Sequence, residues 1–132
     1  KKTIVNTINP HSYCVAKKDK AFKEALQQSD FLLPDGVGIV LAAKVLNRKK
    51  IEKIAGFDVF MHLMHQLNKK SGSGFFMGAS PNTLEKIKER AAKDFPNVKI
   101  NTYSPPYKAV FTREESQQMC ESINAVQPDV LF

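Results

Sequence analysis

The sequence predicts an α/β fold, a mainly parallel wound sheet with helices on both faces in a single domain. Three observations predict it. Short apolar runs alternate with longer stretches of helical period, as in βα units. Turn and helix-start residues stand directly after several of those runs. The chain is 132 residues long with 42% hydrophobic and 25% charged residues, enough for one ordinary domain with a real core.

The first run, Thr3 to Thr7, reads as a strand, and Pro10 suits the opening turn of a helix reaching about Gln27. Val15, Phe22 and Leu26 fall near its inner face. Phe31 to Leu33 is a very short strand that stops at Pro34, Asp35 and Gly36. A helix over Val37 to Leu46 follows, which puts Asp35 on a strand-to-helix turn. Asp58 reads as the cap of a third helix, in which Phe60, Leu63, Met64 and Leu67 share one stripe. Ser71 to Gly74 is a turn and Phe75 to Met77 a strand. Ser80 and Pro81 then open a helix carrying Leu84, Ile87 and Ala91. Val98 to Thr102 is the next strand, Ser104 to Lys108 a loop, and Thr112 with Glu115 the capping box of a helix through Met119 and Ile123. Asp129 to Phe132 begins another strand. Its abrupt end, and a start two residues before a strand, suggest a truncated chain.

Twenty Lys and Arg face 13 acidic residues, a formal charge of +7, so an anionic partner is expected. The cations are scattered over helices, densest at Arg48, Lys49 and Lys50, and most read as solvated faces. With no Trp, no Arg-rich cluster and no recognition motif, nucleic acid is not the expected partner. Cys14 and Cys120 lack metal-ligand spacing and read as buried free thiols in a reducing, cytoplasmic setting. No apolar stretch is long enough for a span or a signal peptide, so membrane contact would be peripheral. His11, His62 and His65 do not form a ligand set.

Ligands of an open parallel sheet bind beyond the carboxyl ends of its strands. Four turns qualify: Thr7 to Pro10, Pro34 to Gly38, Gly78 to Pro81 and Ser104 to Tyr107. Gly36 and Gly38 allow close backbone approach at a helix N-terminus that favours anions, but no third glycine completes a dinucleotide fingerprint. Turn chemistry alone makes Asp35 a turn residue or cap. Gly78, Ala79 and Ser80 likewise suit either a diphosphate or simple capping.

Taken together, Thr7-Ile8-Asn9-Pro10-His11-Ser12-Tyr13, Leu33-Pro34-Asp35-Gly36-Val37-Gly38-Ile39, Ile54-Ala55-Gly56-Phe57-Asp58 and Met77-Gly78-Ala79-Ser80 resemble the WecG/TagA/CpsF family, glycosyltransferase family 26, end to end. The resemblance implies a Rossmann-like fold and an inverting, metal-independent transfer of N-acetylmannosamine or a related sugar. The donor would be a UDP-sugar and the acceptor an undecaprenyl-diphosphate-linked N-acetylglucosamine, feeding teichoic acid, enterobacterial common antigen or a capsule. It makes Asp35 the general base. Thr7 and Asn9 would line the pocket with Gly36, Gly78, Ala79 and Ser80 would approach the nucleotide, and Tyr107 would flank it. Lys53 stands where the family commonly has arginine, keeping the charge without the bidentate fork. The resemblance further implies self-association and a peripheral position at the inner face of the membrane in the full-length protein. Family members continue beyond Phe132 with a loop and a basic appendage, so a chain ending there is expected to transfer weakly or not at all. Two other readings stay open: a nucleotide-binding α/β module without catalysis, and a response-regulator-type domain, for which Asp35 and Asp58 make a poor carboxylate cluster.

Overall fold

The computed structural model describes residues 2–132, and the α/β class is as the sequence predicts. The elements run β1 (Val5–Ile8), α1 (Pro10–Ala16), α2 (Lys20–Gln27), β2 (Phe31–Pro34), α3 (Val37–Asn47), α4 (Gly56–Lys70), β3 (Ser73–Met77), α5 (Pro81–Asp94), β4 (Lys99–Tyr103), α6 (Arg113–Val126) and β5 (Val130–Leu131). All pairings are parallel, but the strands are shared between two sheets, β1-β2 and β4-β3-β5, rather than forming one. The chain correspondingly forms two compact units, Lys1–Phe60 and Met61–Phe132.

In the first unit, β1 and β2 pair from Val5 with Phe31 through Ile8 with Pro34. Side chains fix the start of this ladder: the Ile4 amide donates to Asp30 Oδ2 (2.9 Å), and Asn6 Nδ2 donates to Ser29 Oγ (2.8 Å). The expected helix from Pro10 to Gln27 is two helices. Asp19 breaks it, because its carboxylate accepts the Phe22 amide at 2.9 Å and so caps α2 instead of continuing α1. Leu26 and Ala16 are buried, one from each piece. Cys14, expected inside, is exposed on α1, and Cys120 is exposed on α6; each sits on a helix face turned to solvent.

In the second unit, β3 is the central strand. Phe75 is 2% exposed, and Met64 and Leu67 of α4 are buried with it, as the predicted stripe requires. Helix α4 starts earlier than expected, at Gly56. Asp58 therefore lies in the first turn, reaching back to the Ala55 amide at 3.4 Å. Ser80 caps α5 and Thr112 with Glu115 forms the capping box of α6, both as the sequence predicts. His65 packs edge-on against Phe95, at 5.2 Å between ring centroids.

Short β5 pairs with β3 through the backbone, and one carboxylate pins the start of that ladder. Asp129 accepts both the Ser73 amide (2.7 Å) and the Ser73 hydroxyl (3.0 Å), and the amide bond first, then the hydroxyl, holds its carboxyl below the ordinary aspartate range. A carboxyl depressed in the folded state stabilises it above the unfolded pKa, and that contribution disappears as pH falls through the folded value. Amide exchange at β5 and at the start of β3 is therefore expected to accelerate as pH drops below about 4, after correction for intrinsic exchange. Asp129→Asn should remove that pH-dependence.

Candidate functional site

The first group of candidate residues is gathered by the ends of β1 and β2. Ile8 and Pro34 are opposite one another, so the turns that follow them leave the sheet side by side. The Asp35 amide donates to the Ile8 carbonyl at 2.8 Å, fixing the residue at that edge and leaving its half-buried carboxylate on the turn. The next connection returns to the same place, because the Ile54 amide donates to the Pro34 carbonyl at 2.9 Å. That bond brings the backbone of exposed Lys53 beside the Asp35 turn. Thr7 lies one position inside the edge, opposite Leu33, and a methyl on Gly56 would touch its Cγ2 at 3.8 Å. Thr7, Asn9, Asp35, Gly36 and the Lys53 backbone thus meet at one strand-end cluster.

Asn9 is more occupied than its sequence context suggests. Its Oδ1 accepts the Ser12 amide (2.8 Å), its own amide donates to Ser12 Oγ (2.8 Å), and the two make a capping box for α1. Only the Asn9 side-chain Nδ2 remains to meet a ligand. This box escaped the sequence reading because its third-position partner is Ser rather than Glu or Gln.

Gly36 opens α3 with φ +110° and no side-chain cap, which leaves the first amides of that helix for solvent or an anion. A Cβ on Gly36 would lie 3.3 Å from Pro10 Cδ, and one on Gly38 would lie 2.8 Å from Pro10 Cγ. The two turns therefore touch through glycine against a rigid proline ring. Gly36→Val combines a forbidden φ with that contact and is expected to cost about 2 kcal/mol or more. The loss should appear as a lowered unfolding midpoint, with the amides of Asp35 to Gly38 the first to lose exchange protection.

In the second unit, Gly78 and Ala79 both take positive φ, +112° and +70°. The Gly78 amide donates to the Tyr103 carbonyl (3.0 Å), and Ser104 Oγ donates to the Ala79 carbonyl (2.9 Å), so the ends of β3 and β4 clasp this turn. A non-glycine residue in the left-handed region persists only where its surroundings impose it. Ser80 Oγ accepts the Thr83 amide at 3.3 Å and lies 3.0 Å from Thr83 Oγ1, so capping is its role in this structure. Tyr107 is fully exposed on the loop after β4.

A shallow apolar hollow of about 450 Å³ in the first unit is lined by Ile8, Leu32, Pro34, Ile39, Ile51, Glu52 and Ile54. It lies against the strands that carry the Asp35 turn, and none of the candidate side chains lines it. In the second unit a hollow of about 390 Å³ lies beside Asp129, Lys70 and Gly72, at the beginning of β3 and away from the Gly78 turn. Among the described residues, no three His, Cys, Asp or Glu side chains are grouped as a metal site. None of the helices among them is long and apolar enough to cross a membrane.

The model for the family described as "Glycosyl transferase WecG/TagA/CpsF family" matches residues 1–132. The chain is 31% identical over 129 residues to the N-acetylglucosaminyldiphosphoundecaprenol N-acetyl-beta-D-mannosaminyltransferase of Bacillus subtilis (strain 168), covering 98% of the chain and 48% of that relative. It is 30% identical over 132 residues to the protein of the same name from Bacillus spizizenii, covering 100% of the chain and 49% of the relative. The one from Staphylococcus aureus (strain NCTC 8325 / PS 47) is 21% identical over 126 residues, covering 96% and 48%. The chain spans about half the length of these curated relatives. With the Pro-Asp-Gly turn at its strand edge and a family match along all its residues, the chain belongs to the WecG/TagA/CpsF family of glycosyl transferases.

Proposed function

We propose that the protein carrying this chain transfers an N-acetylated amino sugar, N-acetylmannosamine or a close relative, from a UDP donor to an N-acetylglucosamine linked through diphosphate to undecaprenol. The observation that carries the reading is the position of Asp35. It stands on the turn where two paired parallel strands end together, next to an uncapped helix start, in a chain of this family. The names of the two Bacillus relatives support the sugar and the acceptor.

In this reading Asp35 takes the proton from the acceptor hydroxyl as that oxygen attacks the anomeric carbon of the donor. The sugar–phosphate bond breaks on the opposite face, so configuration inverts, and the bonding pair leaves with UDP. Charge on the departing diphosphate is met by backbone amides and cations rather than by a metal. Gly36 and the first turn of α3, with Lys53, are the groups of the first unit suited to that task, and the Gly78-Ala79-Ser80 turn is the candidate of the second unit. Thr7 and Asn9 Nδ2 hold sugar hydroxyls, and Tyr107 flanks the nucleotide. The protein works at the inner face of the membrane, where such acceptors are used in teichoic acid, capsule or common-antigen synthesis, and it self-associates there.

The test is a transfer assay with UDP-N-acetylmannosamine and a polyprenyl-diphosphate N-acetylglucosamine, with the anomeric configuration of the product read by NMR. We expect an inverted product and turnover unchanged by excess EDTA. A retained configuration would refute single displacement, and abolition by EDTA with rescue by a divalent cation would refute the metal-free mechanism.

A further inference from the structure

Three hydrogen bonds join Ser12 to Asn9, and between them they fix both the backbone and the side chain of that residue. Ser12 Oγ accepts the Asn9 amide at 2.8 Å and donates to the Asn9 carbonyl at 3.0 Å, which grips the backbone from both sides. The Ser12 amide donates to Asn9 Oδ1 at 2.8 Å, which turns the oxygen of the carboxamide toward α1. The Asn9 carbonyl also accepts the Tyr13 amide at 2.9 Å. Both residues are half-buried, where such bonds meet less competition from water.

Capping alone does not call for asparagine. Aspartate or serine would offer the same helix amide an oxygen about as well. What asparagine adds is Nδ2, a neutral donor whose direction follows from the oxygen pinned on the other arm of the planar amide. Its location gives that donor a target. A Cβ on Gly36 would lie 4.0 Å from Asn9 Cβ, so the Asn9 side chain leaves the backbone beside the glycine that follows Asp35. The next residue, Pro10, is the ring against which Gly36 and Gly38 pack, so the turn that carries Asn9 and the turn that carries Asp35 are held together. An aspartate at position 9 would cap α1 equally, but it would set a second carboxylate at this edge, and that charge would oppose a diphosphate.

We propose that Ser12 is a positioning residue of the transfer site, holding Asn9 so that Nδ2 stands as a fixed donor to an oxygen of the UDP-sugar. The inference rests on the proposed transfer reaction and deepens it. Asn9 touches the ligand, and Ser12 acts through Asn9. A donor held in advance binds more tightly than a mobile one, because its ordering cost is met in folding rather than in binding. Ser12 therefore contributes to affinity without a contact of its own.

The experiment is a calorimetric titration of UDP-N-acetylmannosamine into the protein carrying this chain and into Asn9→Ser, Ser12→Ala, their double variant and Ser12→Thr. Asn9→Ser keeps an oxygen for the cap and removes the donor, so binding is expected to weaken about tenfold. Ser12→Ala keeps Nδ2 but releases the backbone grip, and about a threefold loss is expected. Because Ser12 acts through Nδ2, the double variant should match Asn9→Ser to within about twofold. Ser12→Thr keeps the hydroxyl and should bind as the wild type does. In the labelled wild-type protein the Asn9 side-chain amide signal should shift on binding. A shift already present with UDP alone assigns the contact to the diphosphate, and one that requires the sugar assigns it to the sugar; either supports a fixed donor. Losses that multiply in the double variant would overturn the proposal, as would wild-type affinity in Ser12→Ala or an unmoved Asn9 side-chain signal. That signal is read in the wild-type protein, so it decides the matter even where Ser12→Ala folds poorly. Absence of any UDP-sugar binding would remove the proposed function and this inference together, whereas intact binding with multiplied losses removes this inference alone.

Discussion

Asp35→Asn is expected to lower kcat for sugar transfer by about 10²- to 10⁴-fold in the protein carrying this chain, with little change in KM for the donor. The amide has nearly the shape of the carboxylate but cannot take a proton from the acceptor hydroxyl. The backbone contact that seats the residue, from its amide to the Ile8 carbonyl, does not involve the side chain and survives the substitution. Stability should accordingly stay within about 0.5 kcal/mol of wild type, which separates a chemical loss from a folding loss. Glu at the same position keeps the carboxylate and moves it by one methylene, so partial activity is expected there. Unchanged transfer by Asp35→Asn would reduce residue 35 to a turn residue and favour a module that binds nucleotide without catalysis.

Phe75→Ala should produce the largest loss of stability, about 3–5 kcal/mol. Phe75 is almost fully buried on the central strand of the second sheet, paired with Asn101 on one side and Leu131 on the other. Removing the ring leaves a cavity flanked by two strands, and sheet geometry restricts its collapse. The loss should be measured by denaturant unfolding and by exchange of the β3 and β4 amides, which should lose protection together. Phe75→Leu fills most of the same volume and should cost much less, about 1.5 kcal/mol or below. The Gly78 turn begins one residue after β3 ends, so loosening the strand should also weaken whatever that turn binds.

Local signals in the sequence were faithful guides wherever one residue answers to its near neighbours. Ser80 and Pro81 mark the start of α5, Thr112 and Glu115 mark that of α6, and the spacing of Met64 and Leu67 marks the buried side of α4. The strand-to-helix turn at Asp35 was legible for the same reason. Helix α1 ends early because Asp19 offers its carboxylate to the Phe22 amide, a choice that a continuous apolar spacing conceals. The division into two sheets was beyond local reading, since strands of two to five residues carry little register information and their partners are far away in sequence. Cys14 and Cys120 were misplaced because a preference for burial says nothing about which side of an amphipathic helix a residue occupies. At the candidate site, motif order picked out Thr7, Asn9, Asp35, Gly36 and Lys53, which the strand ends gather. It could not show that Ser12 already holds Asn9 Oδ1.

The claim on which the rest depends is that turns at the ends of parallel strands receive a nucleotide diphosphate on exposed backbone amides. The most direct measurement is a titration of uridine diphosphate into the isotopically labelled protein, followed amide by amide. Saturable shifts are expected among the amides of Gly36, Val37 and Gly38 and of Gly78, Ala79 and Ser80, with the beginnings of the same strands unmoved. Saturable binding that leaves all six of those amides unshifted would contradict that claim.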